Sequence, residues 1–273
     1  MTSGPGSVGT ALLDGLTSIA SRAAAAILEV ADPGLTRRDK ADRSPVTAAD
    51  ENAEAVIQDG LARLLPGVPV VSEESAARLP PGAAQGRYLL VDPLDGTREI
   101  LAGEREYAIN IALIENCAPA MGVIMAPALG LLWRGIVGTG AERLRLDPGA
   151  DPGQAAERVA IRTRAQPARG AAAVVSRFHR EAETDAYLDQ FPQVQRTVIG
   201  ASIKFCRLAE GTADIYARMS AMWPWDVAAG HALVEAAGGI LRDTSGQPIR
   251  YDRPHTRLPA FIAFGDPAAA RWR

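Results

Sequence analysis

Cysteine is scarce: the 273 residues include two, Cys117 and Cys206. Their spacing matches no zinc motif. Two buried reduced thiols are expected, one in a strand and one in a helix. Positive charge is not in excess either. The formal net charge is −3 and the pI about 5.7. Without a broad basic field, a nucleic-acid polymer is not an expected partner. A small anionic ligand stays open, because a metal and a few basic residues can offset charge locally. The N-terminus, MTSGPGSVGT, lacks the basic start and apolar stretch of a secretory leader. No apolar run approaches the ~20 residues of a membrane span. A cytoplasmic location is therefore expected, with peripheral membrane association left open. No internal repeat is visible.

What is present suits an ordinary globular chain: 47% of residues are hydrophobic and 22% charged. The length allows one large domain or two lobes. Residues 1–9 read as disordered. From Leu12 to about Val30 the apolar positions Leu12, Leu16, Ile19, Ala23 and Ile27 follow helical spacing. A polar loop, RRDKADRSPVTAAD (37–50), comes next. Thr47 is the expected N-cap of a second helix ending near Leu65, with Asp50 three residues on. Short strands are expected at 69–72 and 87–91. A meander over 107–114, 118–125 and 130–137 should continue the same sheet. The segment DPGADPGQAAE (147–157) is the expected lobe boundary. It divides an N-terminal α+β lobe (1–150), carrying most metal ligands, from a C-terminal α/β lobe (151–273). Beyond it strands at 171–175, 194–199 and 213–217 alternate with helices at 180–190, 202–210 and 225–237.

The chemistry concentrates where strands end or helices begin. VDPLDGTRE (91–99) sets Asp92 and Asp95 around a proline, at the end of an apolar run. Proline cannot continue a ladder, so the strand should stop there and the chain turn. Two carboxylates at one strand end repel unless a positive charge sits between them. A hard divalent cation such as Mg²⁺ suits that need, and the Leu94 carbonyl is a further oxygen ligand. Asp50 lies in the first turn of its helix, Glu73 after the strand at 69–72, and Asp226 after Pro224 at another helix start. Each has an ordinary role as well. Asp50 and Asp226 suit the positive end of a helix, Glu73 suits a solvated turn, and Asp-Pro-Leu-Asp-Gly suits a β-turn. Periodicity alone does not bring these acids together.

Four blocks in this order resemble the signatures of the inositol monophosphatase superfamily: SPVTAAD (44–50), SEES (72–75), LVDPLDGTREI (90–100) and WDVAAGHALVEAAGG (225–239). The resemblance covers about residues 12 to 265. It implies a layered αβαβα sandwich of the inositol monophosphatase/fructose-1,6-bisphosphatase type and a Mg²⁺-dependent, lithium-sensitive phosphomonoesterase. KADRSPVTAAD, the Arg-Glu after Thr97, and SIKFCRLAEGTADIYAR (202–218) resemble the 3′(2′),5′-bisphosphate nucleotidase branch.

Carried over residue by residue, the resemblance makes Glu73, Asp92, the Leu94 carbonyl, Asp95 and Asp226 ligands for two or three Mg²⁺ ions. Asp50 and Thr97, with Glu73, form the catalytic group that orients and activates water. Gly96 and Thr97 offer N–H groups to phosphate, which suits a helix start. Lys204, then Arg218, then His179 are the expected contacts to a second phosphate, with Ser202 beside them. Ala201 departs from the Gly-Ser-Ser-x-Lys pattern of that branch and removes one hydroxyl. His231 reads as a structural helix residue. The implied substrate is a small phosphorylated nucleotide, adenosine 3′,5′-bisphosphate, and the implied assembly a monomer or homodimer. An inositol- or sugar-phosphate phosphatase is the alternative enzyme. A nucleotide-sensing protein without activity is the non-enzymatic one, set against the presence of every ligand side chain and Thr97.

Overall fold

A computed structural model describes residues 5–30, 37–39, 45–75, 79 and 83–272. The chain begins with helix α1 (Pro5–Val30) and a hairpin of β1 (Arg37–Asp39) and β2 (Pro45–Thr47), followed by α2 (Ala48–Leu64). Next come β3 (Val70–Ser72), β4 (Arg87–Asp95), the short α3 (Thr97–Leu101), β5 (Ala108–Glu115), β6 (Ala118–Ala126), β7 (Leu131–Ile136), β8 (Gly140–Arg145) and β9 (Glu157–Ile161). The remainder runs β10 (Ala172–Ser176), α4 (Ala182–Leu188), β11 (Gln195–Ile199), α5 (Ile203–Ala209), β12 (Ile215–Arg218), α6 (Pro224–Ala236), β13 (Ile240–Asp243) and β14 (Phe261–Phe264).

Strands β3 to β9 pair in chain order as one seven-stranded sheet. The second sheet has the order β11-β10-β12-β14-β13. Alternation of side chains across each strand sorts the core into three layers. In β4, Leu89 and Val91 face α1 and α2, while Tyr88 and Leu90 face the middle layer. In the second sheet, Tyr216, Phe261 and Ala263 point to that middle layer, whereas Ile215, Ala217, Ile262 and Phe264 point outward to α4. The middle layer holds α5 and α6. The result is the expected αβαβα sandwich: α1 and α2, sheet, α5 and α6, sheet, α4.

Helix α6 is buried nearly all round, as an apolar helix between two sheets must be. Its close approach needs a small residue on β6. A Cβ on Gly122 would stand 2.3 Å from the Ala229 carbonyl oxygen.

Several expectations need correction. Residues 5–9 belong to α1; residues 1–4 lie outside the described residues. The stretch at 37–50 holds the β1–β2 hairpin and the start of α2. Thr47 directly precedes α2, and its side chain also lies outside the described residues. Cys117 is in a hairpin turn, not a strand: Asn116 and Cys117 have φ of 53° and 64°, as a tight two-residue connection requires. Both thiols are free and buried. The 147–157 segment joins two strands of the same sheet, since β9 pairs antiparallel with β8. The change of sheet falls between Ile161 and Ala172.

Within α1, Gly9–Val30 is long and apolar enough by composition to cross a membrane, with a hydropathy of 1.4. Alanines and a low charge content raise that mean. One face of the helix is buried on α2 and on β5, β6 and β7.

Strand β4 does not stop at Pro93. Asp92 pairs with Asn110 and Asp95 with Ala108, so the strand carries one extra residue there. This is a bulge, one of the few places a sheet accepts proline.

Candidate active site

The bulge shapes the site. The Leu94 N–H donates to Asp92 Oδ1 at 3.0 Å, closing an Asx turn over the proline. Asp92 is thereby held at the edge of a cavity of about 340 Å³. Gly96, which follows, has φ +100° and precedes α3. A Cβ there would stand 3.1 Å from Tyr107 Cβ, so both conformation and space call for glycine. Thr97 Oγ1 lies 3.5 Å from the Leu94 carbonyl oxygen, to which it donates. Leu94, Asp95, Gly96 and Thr97 all line the cavity.

Glu73 reaches the same cavity from the end of β3, and Asp226 from the first turn of α6. Ligand oxygens of Glu73, Asp92 and Asp226 lie within 4.8 Å of one another. Burial, then Glu73, Asp95, Asp226 and Asp50, push the Asp92 pKa well above the usual carboxylate value. Burial, then Asp95 and Glu73, raise Asp226 likewise, against the Trp223 backbone and Arg257. Buried Asp92, half-buried Asp226 and the more exposed Glu73, which repel in this way, form an oxygen donor set for a hard divalent cation. The residues present therefore fit a Mg²⁺ site.

Asp95 lines the same cavity and its charge acts on both Asp92 and Asp226, although it is not one of the three acids whose oxygens converge. Burial raises its pKa, while Lys204, Ser202 and Asn110 hold it down by charge and hydrogen bonds. Asp50 is buried and close enough for its charge to raise Asp92, yet it does not border the cavity.

The expected selectivity residues come from the second sheet. Lys204, in the first turn of α5, is 5% exposed. Its Nζ donates to the carbonyls of Ala201 at 2.5 Å and Ile199 at 3.4 Å and sits 5.6 Å from the Tyr216 ring centre. Burial pulls its pKa down to about 8, against the raising effect of Asp95 and Glu99. Ser202 also borders the cavity, but its hydroxyl donates to Asn110 Oδ1 at 2.6 Å. Arg218 ends β12 and His179 lies exposed in the β10–α4 loop; both line the cavity. Desolvation, then Arg218, Arg98 and Lys204, lower the His179 pKa. His231 stays in the middle layer, 3.1 Å from the Tyr251 hydroxyl.

Other residues were not singled out from the sequence. Glu99 is 5% exposed, and burial followed by Asp95 raises its pKa. Arg257 stands 4.8 Å over the Trp223 ring at the cavity wall. Asn110, opposite Asp92 on β5, had a signal: it is the one polar residue in AINIALI (108–114). The loop carrying Arg257 follows no periodic element and offered none.

Comparison with known proteins agrees with this geometry. The family model described as the inositol monophosphatase family matches residues 10–263. The chain belongs to the inositol monophosphatase family. It is 41% identical over 249 residues to the 3′(2′),5′-bisphosphate nucleotidase CysQ of Escherichia coli K12, covering 88% of this chain and 94% of that protein. To the nucleotidase of the same name from Buchnera aphidicola it is 35% identical over 214 residues, or 78% and 76% of the two chains. The crystal structure of CysQ from Bacteroides thetaiotaomicron, a bacterial member of the inositol monophosphatase family, superposes with a TM-score of 0.77 at 32% identity. That match covers 92% of this chain and 95% of the other.

Proposed function

We propose that this phosphatase removes the 3′-phosphate of adenosine 3′,5′-bisphosphate, giving AMP and phosphate, and that it also accepts the related 5′-phosphosulfate. The observation that carries the reading is one cavity lined both by an acid trio and by a group of cations around His179. Glu73, Asp92 and Asp226 suit metal; Arg98, Lys204 and Arg218 suit anions. A substrate with two phosphates matches both groups, and the kinship with CysQ nucleotidases points the same way.

Glu73, Asp92 and Asp226, with Asp95 and the Leu94 carbonyl, would hold two or three Mg²⁺ ions. Mg²⁺ supplies positive charge to phosphoryl oxygens as the transition state forms. The Thr97 hydroxyl, supported by Asp50 and Glu73, orients the attacking water in line with phosphorus. The N–H groups of Gly96 and Thr97 donate to the phosphoryl oxygens, a contact that strengthens as their charge grows. Lys204, Arg218 and His179 meet the second phosphate, with Ser202 fixing the adjoining backbone. No covalent phosphoenzyme is required. A cytoplasmic monomer or homodimer fits this chemistry.

A panel of adenosine 3′,5′-bisphosphate, inositol 1-phosphate and fructose 1,6-bisphosphate, each with and without Mg²⁺, tests the reading. The nucleotide should give the highest kcat/KM, and phosphate release should stop when the metal is chelated. A higher kcat/KM for either other substrate would reassign the cavity to inositol or sugar phosphates. Absence of release from all three would leave a binding protein.

A further inference from the structure

Arg218 is braced from behind. Its side chain is 12% exposed, and two of its N–H groups are committed to protein. One terminal nitrogen donates to the His179 carbonyl at 2.8 Å. The other pairs with Glu181 Oε1 at 3.1 Å. Each terminal nitrogen carries a second N–H beyond the one committed, so the head keeps donor capacity there, while its Nε is buried and has no hydrogen-bond partner among the described residues.

Glu181 is itself locked. It accepts from the Ser220 hydroxyl, from Thr184 Oγ1 at 2.8 Å and from the Met219 N–H at 3.1 Å. Burial would raise its pKa, but Ser220, Thr184, Arg218 and Met219 outweigh that and hold it low. Glu181 does not line the active-site cavity. It borders a small void behind, which it shares with His179 and Arg218. A carboxylate in that place cannot meet substrate. It can tie the end of β12, which carries Arg218, to the loop that carries His179.

We propose that Glu181 is the positioning residue of the anion-binding group: it fixes the Arg218 guanidinium against the His179 carbonyl so that its remaining donors face the second phosphate. The proposal rests on the reading above that Arg218 meets that phosphate. A bound and aimed guanidinium loses less freedom on binding than a free one. Loss of the brace should therefore appear in substrate binding, and only where a second phosphate is present.

Four proteins test this: Glu181→Ala, Glu181→Gln, Arg218→Ala and the Glu181→Ala/Arg218→Ala double variant. Each is assayed with adenosine 3′,5′-bisphosphate and with 3′-AMP, which lacks the 5′-phosphate. Glu181→Ala should raise KM for the bisphosphate about tenfold with kcat within about threefold, and raise KM for 3′-AMP far less. Glu181→Gln keeps an acceptor oxygen and should fall between; it carries the test if the alanine variant does not fold. The double variant should match Arg218→Ala alone, because the brace has nothing left to hold. Equal losses on both substrates, or losses that multiply in the double variant, overturn the proposal. If Arg218→Ala itself fails to distinguish the two substrates, the reading of Arg218 falls and the proposal with it. If Arg218→Ala distinguishes them and both Glu181 variants do not, the proposal alone falls.

Discussion

Asp92→Asn should stabilise the metal-free protein while abolishing its response to Mg²⁺. Oxygens of Glu73, Asp92 and Asp226 lie within 4.8 Å of one another. At an effective dielectric of ~20, two unit charges at that separation repel by about 3 kcal/mol. Asp92 faces two such neighbours, and proton uptake already relieves part of the repulsion, so neutralising it should return about 2–4 kcal/mol. For 273 residues the unfolding entropy is ~0.6 kcal/mol/K, so the gain corresponds to a Tm higher by about 3–7 °C.

The pH dependence has a definite sign. Asp92 and Asp226 have folded-state pKa values raised above the ordinary carboxylate value of 3.8. The folded protein then binds more protons than the unfolded chain just above that value. Metal-free stability should fall as pH rises from there, and return as pH falls. The asparagine variant should show a flatter profile. In the wild type, Mg²⁺ at a hundredfold excess over Kd should add about 3 kcal/mol, or about 5 °C. Asp92→Asn should lose that shift and reduce kcat by about a hundredfold or more. Thermal melts in chelator and in Mg²⁺, over a pH series, read all of this. A variant that melts below wild type without metal, or that keeps the wild-type Mg²⁺ shift, would refute the claim that these acids repel around a cation site.

Lys204→Ala should lower kcat/KM for the bisphosphate about tenfold or more, and for 3′-AMP much less; equal losses would remove Lys204 from substrate selection. Gly96→Ala forces a side chain into φ +100° and against Tyr107, so urea unfolding should show a loss of about 1–3 kcal/mol. Turnover should fall with it, because the turn carries Thr97; unchanged stability would refute the steric argument.

Much of the fold was legible because it lies in local pattern. The strands β5, β6 and β7 read as apolar runs between turn residues, and α5 and α6 by helical spacing and flanking signals. What escaped depends on partners distant in sequence. Strand β9, ERVAI, is exposed at four of its five positions, so it has no apolar face to detect and exists because β8 offers an edge. The passage of β4 through Pro93 also needs its neighbour, since the bulge is defined by the single β5 residue, Ile109, that opposes Pro93 and Leu94 of β4. The last two strands have four residues each, so their pattern is weak without the sheet around them. In the site, the acids were visible one by one as turn and helix-start residues, and only the family resemblance joined them. Ser202 shows the opposite limit. Its sequence context suggested substrate, and the structure turns its hydroxyl to Asn110 on the other sheet.

That contact says how the two halves of the site are coupled. Most of the proposed metal ligands belong to the first sheet and its turns. Of the groups proposed to meet anions, His179 and Lys204 follow β10 and β11 of the second and Arg218 ends β12, whereas Arg98 belongs to α3 after the first. Helix α6 joins them rigidly, because it is packed between the sheets and carries Asp226 in its first turn. The softer link is the chain Asp95, Ser202, Asn110 and Lys204. Arg218 and Glu181 stand outside it, so their replacement should alter substrate choice without disturbing the metal. Lys204 stands inside it and compensates Asp95 directly. Its removal leaves the acids with less positive charge beside them, so it should lower the Mg²⁺ concentration for half-maximal rate as it weakens second-phosphate binding, whereas Arg218→Ala should leave that concentration where it was. A titration of rate against Mg²⁺ for the two variants separates these cases, and a shared metal dependence would place the coupling elsewhere than in the Asp95–Lys204 contact.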